Sequence, residues 1–254
     1  MTKIALVQYS PRWESKETNM KIINDYVKDL DTNTSILVFP EMTLTGFTMN
    51  SKKHAEEIDG QSINYFMNLA TNLNVDLFAG IIEKEGSKFF NSLFHFDSKG
   101  LIKAIYRKIH PFSLADEDKN YSSGNEIVTS RFDKYNVALS ICYDLRFPEL
   151  YRLYAKENAS LLINIANWPV KRIAHWKHLL KARAIENQCF IIGVNRIGND
   201  PYQTYNGCSA IYDPMGEVIT LSENEEKIIY ADIDLQQSDE IKGKLSFLRD
   251  IKLI

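Results

Sequence analysis

The sequence predicts an α/β fold with mixed sheets, and three observations carry that expectation. Short, nearly unbroken apolar runs recur at residues 4–7, 36–39, 75–82, 137–141, Leu161–Ala166 and 189–195. Stretches with apolar residues at helical spacing separate several of them, the first marked by Met20, Ile23, Val27 and Leu30. Between the early and late runs stands a meander of two strands and a tight turn. A strand covered on both faces has no polar face to show, so it reads as a continuous run and not as an alternation.

In chain order, residues 4–7 read as a strand, the Met20 stretch as a helix, and residues 36–39 as a second strand closed by Pro40. Ile63, Phe66, Met67, Ala70 and Leu73 mark a second helix before the buried run 75–82. Residues 89–96 and 101–106, joined by Ser98-Lys99-Gly100, form the antiparallel pair. Polar residues 113–125 read as a loop that divides two strand-rich halves. Beyond it, strand 137–141 runs into Cys142, and Pro148 with Glu149 suits the first turn of a helix that reaches about Lys156. Leu161–Ala166, a helix over about 172–188, strands at 189–195 and 207–212, the Asp213-Pro214-Met215-Gly216 turn, and strands near Val218 and Ile228 complete the set. With no Gly-, Ser- or Pro-rich linker and no clear repeat, residues 1–254 are expected to form one domain.

Composition excludes several function classes. At 254 residues and 44% hydrophobic side chains the chain is neither disordered nor fibrous. Thirty basic against 33 acidic residues give −3, with no long basic block, so nucleic acid and anionic membrane lack electrostatic support as partners. Gln8 interrupts the first apolar run too early for a signal peptide, and no run approaches the roughly 20 residues that span a bilayer. Cys142, Cys189 and Cys208 are odd in number and widely spaced, which suits a reducing cytoplasm.

Reactive side chains stand just past the ends of three apolar strands, where α/β folds place their sites. Glu41 follows Phe39-Pro40, Lys108 ends the second meander strand, and Cys142 opens Cys142-Tyr143-Asp144-Leu145-Arg146-Phe147-Pro148-Glu149. A thiol on a strand-to-turn-to-helix elbow can meet a carbonyl, while the backbone N–H groups after it receive an oxyanion and favour the thiolate. Each residue alone has an ordinary reading: a turn glutamate, a surface lysine, an inert buried thiol.

Taken together, these motifs occur in the order and approximate spacing of the nitrilase-superfamily carbon–nitrogen hydrolases, which the chain resembles over nearly its whole length. The likeness extends to Asn167-Trp168-Pro169, His175-Trp176, the Ala182 to Gln188 stretch and Asp213-Pro214-x-Gly216, and is strongest for the omega-amidase branch. The resemblance implies a four-layer αββα sandwich of two mixed sheets flanked by helices. It implies Cys142 as nucleophile, Glu41 as the base and acid that serves it, and Lys108 with the Tyr143 backbone N–H as the oxyanion site. A second glutamate is implied to hold Lys108 and the amide, and Glu117 is the best match, although Asp116 and Asp118 flank it and a solvated acidic loop is the plain alternative. No metal or organic cofactor is implied.

The implied substrate is a small amide with a distant carboxylate, such as 2-oxoglutaramate or 2-oxosuccinamate. That carboxylate needs a cation, for which Arg146 and Arg183 are candidates, and Trp168 is a candidate wall. Their ordinary readings are an Arg146–Glu149 ion pair and a core-filling indole. Homodimerisation is expected through residues 147–154 and parts of 172–188. The chain departs from the family pattern at Pro111, between His110 and Phe112, and in the tail 241–254, which lacks the expected proline and tyrosine. Rival readings are a true nitrilase, a papain-like Cys142–His110 pair, a metal site at His175 and His178, and a catalytically silent interaction scaffold on the same fold.

Overall fold

Successive residues of the first strand serve two different cores. In β1 (Thr2–Gln8), Ile4 and Leu6 pack into one hydrophobic cluster while Ala5 and Val7 pack into another. That is the period of two imposed by the pleat, with both faces covered. The computed structural model describes residues 1–253; Ile254, the end of the tail considered above, lies outside the described residues.

The remaining elements follow as α1 (Lys16–Val27), β2 (Ile36–Val38), α2 (Ser51–His54), α3 (Gln61–Leu73), β3 (Asp76–Glu85), β4 (Lys88–Phe96) and β5 (Ile102–Arg107). After them come α4 (Glu117–Asn120), β6 (Thr129–Phe132), β7 (Tyr135–Ile141), α5 (Pro148–Lys156), β8 (Leu161–Ala166) and α6 (Ile173–Asn187). The last are β9 (Phe190–Asn195), β10 (Ile197–Asn199), β11 (Thr204–Tyr212), β12 (Val218–Glu223), β13 (Lys227–Ile233) and α7 (Gln236–Lys244).

One sheet runs β13-β1-β2-β3-β4-β5, parallel through β1, β2 and β3 and antiparallel at both flanks. The other runs β10-β11-β9-β8-β7-β6, with β12 also on β11 and parallel pairing through β7, β8 and β9. Between the sheets lies a core that includes Leu6, Val38, Leu139, Ile163 and Ile192. A second core joins the first sheet to α1 and α3 through Ile23, Phe39, Ile63 and Phe66, and a third joins the other sheet to α5 and α6 through Tyr151, Leu162, Trp176 and Leu180. Three cores make four layers, the αββα sandwich of two mixed sheets.

Segment 113–125 departs from its reading as a loop. It holds a 3₁₀ turn at Ser113–Ala115 and then α4, whose first residue, Glu117, is wholly buried. Four further elements, α2, β6, β10 and α7, lie where no element was read. Among the described residues no helix is long and apolar enough to cross a membrane.

Candidate active site

Strand ends from both sheets converge on one point. Glu41 comes from the turn after β2, Lys108 directly follows β5, and Cys142 directly follows β7. Gly80 on β3 is what lets the Glu41 turn lie so close, because a Cβ there would stand 2.4 Å from the Met42 nitrogen and 2.8 Å from the Glu41 Cα.

The Lys108 ammonium is buried between two carboxylates. Its Nζ donates to Glu41 Oε1 at 2.9 Å and to both oxygens of Glu117 at 2.8 and 3.0 Å. Burial by itself lowers a lysine's proton affinity, but the charges of Glu117 and Glu41 outweigh it and hold Lys108 well above its ordinary value. Burial raises the Glu117 carboxyl, and Lys108 opposes that rise without cancelling it. The lysine is therefore a fixed cation and cannot act as a base.

Two asparagines complete the frame. Asn91, on β4, donates to Glu41 Oε1 at 2.7 Å and to Glu117 Oε1 at 2.8 Å. Asn167, just after β8, donates its backbone N–H to Glu41 Oε2 at 2.8 Å and its side chain to the Glu41 carbonyl at 2.7 Å. Sequence reasoning gave neither a role. Asn167 lay inside a quoted motif, whereas Asn91 sits in an apolar strand, where a lone amide on the covered face was the one available signal.

Cys142 occupies a left-handed conformation, φ +46°, which a non-glycine residue adopts only when its surroundings enforce it. Asp144 supplies much of that enforcement from full burial. Its Oδ2 accepts from the Ile141 N–H at 2.9 Å and the Tyr106 hydroxyl at 2.8 Å, and its Oδ1 faces the His110 N–H and Nδ1. His110 also stacks on Phe147, with ring centroids 3.8 Å apart, so its place is beneath the elbow and not as a papain-like partner.

Arg183 supports the same elbow from the far side. Its Nε and Nη2 donate to the Leu145 carbonyl at 3.2 and 2.8 Å, and Nη1 meets Glu186 at 2.8 Å. It is buried beneath the turn and does not line the cavity, which corrects its candidacy for the substrate carboxylate.

At the elbow the backbone N–H groups are not the dominant influence on the thiol. Burial, and after it the charge of Glu41, push the thiol well above its ordinary value, with Lys108 and the Asn167 backbone N–H opposing more weakly. Removing the thiol proton at this elbow is therefore work for a neighbouring base. Cys142 faces a cavity of about 410 Å³ whose walls include Tyr143, Arg146, Trp168, Phe112 and Arg172. Among the described residues Arg146 pairs with no carboxylate. Its guanidinium lies 4.7 Å from the Trp168 ring and 5.9 Å from the Tyr143 ring, and it touches His175 Nδ1 at 3.2 Å. With His178 turned to the Ala174 carbonyl, the two helix histidines serve different neighbours. No cluster of three His, Cys, Asp or Glu side chains fit for a metal occurs among the described residues.

Comparison with known proteins agrees with this geometry. Residues 3–242 match the family model for carbon–nitrogen hydrolases. A 2-oxoglutaramate amidase of Bacillus subtilis is 34% identical over 98% of this chain and 97% of its own length. The omega-amidase YafV of Escherichia coli K12 is 30% identical over 98% of this chain and 96% of its own. Among solved structures, a CN-hydrolase superfamily protein, XC1258 of Xanthomonas campestris, superposes with a TM-score of 0.93 at 27% identity, covering 100% of this chain and 98% of that one. An αββα sandwich with these strand-end residues, matched nearly end to end by amidases, belongs to the carbon–nitrogen hydrolase family, and this chain is an enzyme of that family acting on linear amides.

Proposed function

We propose that the enzyme releases ammonia from small omega-monoamides that carry a carboxylate, such as 2-oxoglutaramate or 2-oxosuccinamate, through a thioester on Cys142. The observation that carries this reading is a strand-end thiol, with the buried Glu41–Lys108 pair on the neighbouring strand ends, opening into a cavity whose Arg146 has no carboxylate partner among the described residues. Glu41 takes the thiol proton as sulfur attacks the amide carbonyl. The developing alkoxide is held by the Lys108 ammonium and the Tyr143 backbone N–H. When the carbon–nitrogen bond breaks, Glu41 returns the proton to the departing ammonia. It then takes a proton from water, which attacks the thioester and frees the acid and the thiol.

Glu117 acts by holding Lys108 in register with Glu41. Arg146 takes the distant carboxylate, and Trp168 walls the pocket. Ammonia release from 2-oxoglutaramate, pentanamide and pentanenitrile tests the reading: the charged amide is expected to be the fastest substrate. Faster turnover of pentanamide would reject the substrate assignment, and efficient conversion of the nitrile to acid would make the enzyme a nitrilase. A symmetric pair through α5 and α6 belongs to the same reading, since Leu153 and Ile185 stand exposed there. Light scattering at micromolar concentration reports its mass.

A further inference from the structure

The cavity holds a second guanidinium that has no carboxylate partner among the described residues. Arg172 ends the 3₁₀ turn Val170–Arg172 before α6 and lies over the Phe112 ring at 5.4 Å. The carboxylates around the cavity are already engaged. Glu14 meets Thr48, Asn50 and His54, Asp200 accepts from the Tyr202 and Gln203 N–H groups and the Tyr205 hydroxyl, and Asp116 pairs with Lys119. These three carboxylates line the cavity too, but among the described residues none of them pairs with either guanidinium.

Trp168 organises both arginines. Its ring carries Arg146, and its indole N–H donates to the Arg172 carbonyl at 2.8 Å, fixing the turn from which the second guanidinium reaches out. The Arg172 N–H closes that turn on the Pro169 carbonyl at 3.0 Å. Two cations confined to one cavity repel each other, and an anion between them relieves that repulsion. The effect is already visible at Arg146, whose proton affinity is lowered by burial and next by the charge of Arg172.

We propose that Arg172 and Arg146 form a two-guanidinium clamp for the substrate's carboxylate, which makes Arg172 a specificity-determining residue of this enzyme. The clamp rests on the amidase reading above for the identity of its ligand. A 2-oxo acid presents three acceptor oxygens in a row, two on the carboxylate and one on the adjacent carbonyl. One guanidinium fork engages two of them, and the second arginine supplies the donors that are left.

The test separates the clamp from the amidase reading. In Arg172→Gln, kcat/KM for 2-oxoglutaramate is expected to fall at least about tenfold further than for pentanamide, mainly through KM. Arg172→Lys, which keeps the charge and loses the fork, is expected to recover part of that loss. Calorimetry with the dianion 2-oxoglutarate gives a readout independent of turnover: Cys142→Ala protein binds it, and Cys142→Ala with Arg172→Gln binds it at least about tenfold more weakly. Equal losses on both amides, or unchanged 2-oxoglutarate binding, would overturn the clamp and leave the amidase reading standing. If the wild type prefers pentanamide while 2-oxoglutarate binding still depends on Arg172, the clamp is supported and the substrate assignment falls.

Discussion

The thiol of Cys142 and the carboxylate of Glu41 make a division of labour that can be measured one residue at a time. Burial and nearby negative charge raise the thiol's proton affinity, so attack on an electrophile calls for a base at the moment of reaction. Glu41→Gln removes both the base and a charge that disfavours the thiolate; with the loss of the base dominant, alkylation of Cys142 by a small neutral electrophile at pH 7, followed by mass spectrometry, is expected to slow at least about tenfold. Cys142→Ala should abolish ammonia release and leave the fold intact, since it removes one sulfur atom at a cavity wall. A labelling rate indifferent to Glu41 would show that the thiol ionises without it. At this scale the sequence was informative where a motif named a residue type, as at Glu41, Lys108 and Cys142. It could not choose among Asp116, Glu117 and Asp118, because the choice is made by α4, which turns Glu117 inward and leaves both aspartates exposed. Nor could it separate Arg146 from Arg183, whose partners are set by packing across elements distant in the chain.

Elements matter here by bringing strand ends within hydrogen-bonding reach, and β3 does so by lacking a side chain at one position. The Gly80 carbonyl accepts from the Thr43 N–H at 2.8 Å, and the Gly80 N–H donates to Thr43 Oγ1 at 3.1 Å, so the Glu41 turn is laced to the strand at close range. Gly80→Ala places a methyl group against backbone atoms that cannot rotate away, so the turn must move and carry Glu41 off the Lys108 ammonium. A stability loss of about 1–3 kcal/mol is expected, with a drop in kcat/KM of about tenfold or more. Thermal melts and ammonia release measure the two, and a fully active variant would show that the turn can give way without cost. Doubly covered strands such as β8 were legible because both faces demand apolar residues, and Asn164 alone interrupts that run. Thr129–Phe132, with one buried residue, and Gln236–Lys244, with only Ser238 buried, carry too little apolar signal to be seen before the molecule is folded.

Across the whole molecule, a buried thiol and two buried phenols share a sign that sets how stability responds to alkali. Burial pushes the Cys189 thiol up to about 12 from 9.0, with the Lys242 ammonium opposing more weakly, and it raises the phenols of Tyr106 and Tyr154 as well. A group whose proton is held more tightly in the folded state contributes stability that is complete below its unfolded value. That stability is lost as pH climbs from the unfolded value through the folded one. For Cys189 the window opens at about pH 9, where the unfolded thiol ionises and the folded thiol does not, and the slope is about 1.4 kcal/mol per pH unit for each proton. Denaturant midpoints of the wild type should therefore fall between pH 8 and 11. Cys189→Ala, which leaves a small gap in the third core, is expected to be less stable than the wild type at pH 8. Because the variant has no thiol to ionise in its unfolded state, the stability gap should narrow steadily above pH 9. A gap that stays constant to pH 11 would mean that the folded thiol ionises as readily as the unfolded one, and that the packing of α6 against the second sheet does not exclude water from Cys189.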